Sequence, residues 1–128
     1  MIKIGILGSS GRVGSLLIDD LKNDTEAKVS CVHVFDKIEK VLPPDTVVTN
    51  DINVLFEQSD VIIDFSSPVA TEELLTAVIE GGKRKALVIA TTGLSKHQQN
   101  LLLEASKLVP ILYATNMSLG VAVLNKLV

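Results

Sequence analysis

The chain has 128 residues, enough for one domain with a hydrophobic core of its own. Hydrophobic residues make up 47% and aromatics only 3%; with a mean hydropathy of +0.40, this excludes a disordered chain and suits a sheet covered on both faces, whose strands are aliphatic runs. The net charge is −3 and the 12 basic residues are scattered, so no basic stripe points to nucleic acid.

Lys3 to Leu7 predicts a first strand that runs into a glycine turn. Its apolar part, Ile4 to Leu7, is too short for the h-region of a signal peptide. No run in the chain reaches the roughly 18 apolar residues of a membrane span. Arg12 to Lys22 predicts a helix, with Val13, Leu16, Leu17 and Leu21 at helical spacing. Val29 to Phe35 predicts a second strand, in which Cys31 is expected to act as a small buried hydrophobe. As the single cysteine it cannot form an intrachain disulfide, which fits a reducing cytoplasm. The expectation is a soluble cytoplasmic protein with no nucleic-acid or membrane partner.

Pro43-Pro44-Asp45 breaks the chain before a short third strand at Val47-Val48 and a brief helix over Ile52 to Gln58. Val61 to Phe65 predicts a fully buried strand. Ser67 then predicts an N-cap with Pro68 in the first turn, and the helix runs to about Glu80 before Gly81-Gly82 stops it. Ala86 to Ala90 is the next strand. Ser95 and Gln98 predict a capping box for a helix ending near Lys107, and Pro110 to Tyr113 a last short strand. Ser118 predicts the cap of a final helix whose apolar pattern, Val121 to Val128, is still running at the end of the sequence. The domain is therefore expected to span residues 1–128 and to be cut within its last helix. Strands and helices alternate with connections long enough for parallel crossovers, so the expected fold is α/β, a doubly wound parallel sheet of the Rossmann type.

The turn Gly8-Ser9-Ser10-Gly11-Arg12-Val13-Gly14 lies between the first strand and the first helix. Glycine allows a tight reversal and close approach of a pyrophosphate, while the free N–H groups and positive end of the helix bind the anion. The spacing is GxxGxxG rather than GxGxxG, and an ordinary strand-to-helix turn is the bland alternative. Context favours the nucleotide reading, because such a motif needs a strand before it and a helix after it. The fingerprint also calls for an acid about 20 positions on, at the end of the second strand. Asp36 stands there, followed by Lys37. A carboxylate suits the ribose 2′-hydroxyl of NAD and a cation the 2′-phosphate of NADP, so the pair suggests use of either cofactor.

Ligands in an open α/β sheet bind outside the carboxyl ends of the strands. Those ends here carry Phe65-Ser66-Ser67-Pro68, Ala90-Thr91-Thr92-Gly93 and Thr115-Asn116-Met117-Ser118. Each cluster alone reads as a cap or turn; three on one edge suit a nicotinamide-ribose pocket. No catalytic constellation is evident. His33 and His97 read as structural or solvated, no cluster has metal-ligand spacing, and Tyr113 lacks a lysine four residues on. Asp64 sits at a strand end without an assignable role.

GxxGRxG at the first helix, Val61-Ile62-Ile63-Asp64-Phe65-Ser66-Ser67-Pro68 with Ala70-Thr71, Thr91-Thr92-Gly93-Leu94, and Asn116-Met117-Ser118-Leu119-Gly120-Val121 together resemble the amino-terminal domain of the bacterial dihydrodipicolinate reductases. The resemblance covers essentially the whole chain. It implies reduction of the dehydrated form of 4-hydroxy-tetrahydrodipicolinate by NADPH or NADH, in the diaminopimelate route to lysine. It also implies cofactor contacts at Gly8, Ser9, Ser10, Gly11, Arg12 and Val13, with Arg12 near the phosphates. Further contacts fall at Asp36 and Lys37, at Ala90, Thr91 and Thr92, and at Thr115, Asn116, Met117 and Ser118. Ala90 departs from the glycine usual in the family. The family's catalytic histidine and lysine, its His-His and Lys-x-Asp-Ala-Pro-Ser-Gly-Thr segment and its tetramer-forming surface belong to a second domain absent from this sequence. No catalytic residue is therefore assigned; the substrate is expected to bind only through that domain, and the full-length protein to be a homotetramer. Two rivals remain at this point: a non-catalytic nucleotide-sensing Rossmann module, and a methyltransferase whose acid after the second strand would bind S-adenosylmethionine.

Overall fold

In the computed structural model, which describes residues 2–8, 27–33, 46–91 and 93–113, β1 (Ile2–Leu7) pairs in parallel with β2 (Ala27–His33) on one side and β4 (Val61–Asp64) on the other. Beyond β2 lies β3 (Val47–Thr49), and beyond β4 lie β5 (Ala86–Ile89) and β6 (Ile111–Tyr113), all parallel. The spatial order is β3-β2-β1-β4-β5-β6. From β1 the chain winds outward through β2 and β3, then returns to the opposite side of β1 to begin again at β4. The order reverses between β1 and β4, the topological switch point of a doubly wound sheet.

Alternation along the strands divides the aliphatic residues between two faces. Leu7, Cys31, Ile62, Leu87 and Ile89 face α1 (Ile52–Glu57), α2 (Pro68–Ile79) and α3 (Lys96–Ser106), which add Leu55, Phe56, Leu74, Leu75, Val78 and Ala105 to one buried cluster. Ile4, Ile6, Val29, Val32, Ile63 and Val88 form a second cluster. Val29 and Val32 share it because β2 is irregular: pairing passes from Ile4 with Val29 directly to Gly5 with Cys31, skipping Ser30. One skipped residue reverses the alternation. The Ser30 hydroxyl donates to the Gln58 carbonyl beyond α1, which keeps this buried polar group satisfied. Gly5 is required nearby, since a Cβ there would lie 2.0 Å from Ser59 Oγ.

Most expected elements sit within a residue or two of their sequence-derived bounds. Ser67 caps α2, its hydroxyl accepting from Ala70 N at 3.4 Å, with Pro68 opening the helix. The C-cap of α2 is Glu80, and Arg84 Nη1 donates back to the Val78 carbonyl at 2.9 Å. The Ser95–Gln98 capping box is formed in full, and Lys107 caps the end of α3. β2 begins two residues earlier than expected, at Ala27, because exposed Lys28 masks the start of a strand that alternates there. Val61 and Phe65 are half-buried rather than fully covered, and Phe65 falls just beyond β4. Val34, Phe35, the helix expected over Arg12 to Lys22, the break at Pro43-Pro44-Asp45 and the final helix after Ser118 lie outside the described residues. Among the described residues, no helix is long and apolar enough to cross a membrane.

Candidate functional site

The carboxyl ends of β1, β4 and β5 are joined by hydrogen bonds that continue the ladder one step past each strand. Phe65 N donates to the Leu7 carbonyl and Ala90 N to the Asp64 carbonyl, both at 2.9 Å. These bonds bring Gly8, Phe65-Ser66 and Ala90 to the same edge, at the switch point between β1 and β4. Gly8 turns the chain there with φ +87°, and a Cβ on it would lie 2.9 Å from the carbonyl carbon and oxygen of Phe65 and from Ser66 Cα. The left-handed backbone and the close approach both demand glycine. Among the described residues, the β1 end thus meets the turn after β4 backbone to backbone at Gly8, a form that suits a phosphate-bearing ligand.

Beneath the edge lies Asp64, fully buried at the end of β4. One carboxylate oxygen, Oδ1, accepts from Ser66 N at 2.8 Å and from the Ser66 hydroxyl. The other, Oδ2, accepts from Thr71 Oγ1 at 2.5 Å. Thr71 Oγ1 also lies 2.8 Å from Thr91 Oγ1. A hydroxyl carries one proton, and the carboxylate is the stronger acceptor for that of Thr71, so Thr91 is the donor in the second bond. Burial pushes the Asp64 carboxyl above its usual range, against the hydrogen bonds from Ser66 and Thr71, which favour the charged form. The network ties the end of β4, the first turn of α2 and the second residue after β5 into one unit. Gln98 of α3 adds a second tie to the start of α2, its Nε2 donating to the Pro68 carbonyl at 3.2 Å.

Of the residues singled out in the sequence, the structure brings Gly8, Ala90 and Thr91 together on this edge. Ala90 is half-buried with its N–H committed to Asp64, and the Thr91 side chain is buried against Thr71. Ser9, Ser10, Gly11, Arg12, Val13, Asp36, Lys37, Thr92, Thr115, Asn116, Met117 and Ser118 lie outside the described residues. His33 is buried at the end of β2, His97 is exposed in the first turn of α3, and Cys31 is buried, its thiol pushed up to about 11 by desolvation. Among the described residues no group of three His, Cys, Asp or Glu side chains could hold a metal ion.

Two surface hollows lie away from this edge. One runs along α2 past Glu72, Glu73 and Glu80, whose charges would repel a pyrophosphate; the other, by Lys83, Arg84 and Lys85, opens at the amino end of β5. Sequence reasoning missed Asp64 and Thr71 as parts of the site. The available signal was a carboxylate inside an aliphatic strand, which must find donors when buried, with hydroxyl residues close behind it.

Residues 2–117 match the family described as dihydrodipicolinate reductase, N-terminus. The 4-hydroxy-tetrahydrodipicolinate reductase of Aliarcobacter butzleri is 78% identical over 128 residues, covering 100% of this chain and 50% of the relative. The enzyme of the same name from Nitratiruptor sp. is 56% identical over 128 residues, covering 49% of its length. The chain thus spans about half the length of these relatives. Among solved structures, dipicolinate-bound dihydrodipicolinate reductase from Paenisporosarcina sp. TG-14 shares the fold, with a TM-score of 0.73 at 20% identity over 98% of this chain and 51% of the other. Pyrroline carboxylate reductase from Plasmodium falciparum, solved with NADP bound, aligns with a TM-score of 0.61 at 19% identity over 94% of this chain and 44% of the other. The parallel sheet with its glycine-lined switch point and the match over residues 2–117 agree: this chain belongs to the dihydrodipicolinate reductase family, as its amino-terminal domain.

Proposed function

We propose that the chain is the nicotinamide-dinucleotide-binding half of a 4-hydroxy-tetrahydrodipicolinate reductase, a single domain over residues 1–128. The observation that carries this reading is the switch-point edge, where Gly8 adopts φ +87° against the backbone of Phe65 and Ser66. A dinucleotide bound there would lie across the β1–β4 junction, its pyrophosphate against the Gly8 to Val13 turn with Arg12 beside the phosphates. Asp36 and Lys37, following β2, would take the adenosine ribose, Asp36 favouring NADH and Lys37 favouring NADPH. The nicotinamide half would then lie toward β4 and β5, near Ala90, Thr91, Thr92 and the Thr115-Asn116-Met117-Ser118 segment. The hydroxyl of Thr91 is engaged by Thr71, which leaves its backbone for the ligand.

Bound nicotinamide supplies the hydride; the residues of this chain bind and orient it. Positioning the acceptor carbon and protonating the product are tasks for a second domain, together with assembly into a homotetramer. A cytoplasmic location agrees with the lone buried Cys31. Calorimetric titration tests the reading: NADPH and NADH should both bind, and S-adenosylmethionine should not. Binding of S-adenosylmethionine with no response to either dinucleotide would replace the reductase reading with the methyltransferase one.

A further inference from the structure

Asp64 is a carboxylate at 0% exposure, Thr71 is also at 0%, and Thr91 is at 2%. None of the three side chains is open to a ligand, yet they are joined directly beneath the edge where strands β4 and β5 end. Burying a carboxylate among aliphatic side chains is costly, and a fold that needed only packing would be served as well by an apolar residue. What the carboxylate supplies is geometry. Through Ser66 it fixes the turn after β4, and through Thr71 and Thr91 it fixes the first turn of α2 and the departure of the chain from β5.

We propose that Asp64, acting through Thr71 and Thr91, is a positioning residue for the nicotinamide half of the dinucleotide site; the proposal rests on the cofactor reading above. The adenosine half is assigned to the end of β2, on the far side of β1 from this network. A change in the network therefore acts on one half of the cofactor and spares the other. Because the three side chains are buried, the effect reaches the ligand through the backbone of Ser66 and of the turn that begins at Ala90.

Thr71→Val keeps the shape of the side chain and removes both hydroxyl bonds, while Thr71→Ser keeps the hydroxyl. Titration of the 128-residue chain with NADPH, and separately with 2′,5′-ADP as a probe of the adenosine half alone, distinguishes the possibilities. Thr71→Val should weaken NADPH by about tenfold or more while leaving 2′,5′-ADP unaffected, and Thr71→Ser should restore NADPH binding. Thr91→Val cuts the same link from the β5 side, should show the same selective loss, and decides the matter if Thr71→Val does not fold. Unchanged NADPH affinity in the folded valine variants, or equal loss of both probes, overturns the positioning role. A wild-type chain that binds neither probe overturns the cofactor reading itself, a result distinct from an equal response by the variants.

Discussion

At Gly8 the backbone is held at φ +87° with the Phe65 and Ser66 main chain where a side chain would go. Gly8→Ala forces a β-carbon into both the left-handed region and that contact. Left-handed strain alone is on the order of 1–3 kcal/mol, so urea denaturation should show a loss of at least about 1 kcal/mol. An unchanged midpoint would mean that the turn relaxes freely. Asp64 gives a pH-dependent expectation. Burial raises its folded pKa, so the folded chain holds the proton more tightly than the unfolded one. The associated stability is complete below the ordinary aspartate range and is lost as pH rises through the folded pKa. Asp64→Asn has no such loss. Its melting temperature relative to wild type should therefore climb with pH through that window and level off above it; a difference independent of pH would contradict the raised pKa. Gly8 was legible in the sequence because its requirement is local, a turn between one strand and one helix. Asp64 was not, because Thr71 lies 7 positions away and Thr91 another 20 beyond it. Only the folded sheet brings the three together.

The caps show the same division between local and distant at the scale of elements. Ser67-Pro68 and Ser95 with Gln98 were readable because a cap is made within four residues. The irregularity at Ser30 was not, since it depends on pairing between β1 and β2 and on a carbonyl past α1. Gln98 joins the two kinds: its backbone and Oε1 complete the box with Ser95, while its Nε2 reaches the start of α2. Ser95→Ala should cost about 0.5–2 kcal/mol. Combined with Gln98→Ala, the loss should be less than the sum of the two single losses, because both changes break one box. Thermal melts of the four proteins check this; strict additivity would mean that the box contributes nothing as a unit.

For the whole molecule, the aliphatic runs and their alternation with helical segments indicated a doubly wound sheet, but no run states which strand it will sit beside. The order β3-β2-β1-β4-β5-β6 determines that β1 and β4 are neighbours, and hence that Gly8 and the turn after Asp64 meet. The site is a property of that order. Its amino-terminal opposite has Asp60 before β4 and, before β5, the cations Lys83, Arg84 and Lys85 with a surface hollow beside them. Backbone amide chemical shifts recorded during titration with NADPH separate the two edges directly. Saturable changes should concentrate at Gly8, Ser66, Ala90 and Thr91. Changes confined to Asp60 and Lys83 to Lys85, or no change at saturating NADPH, would contradict the assignment of the dinucleotide to the switch-point edge.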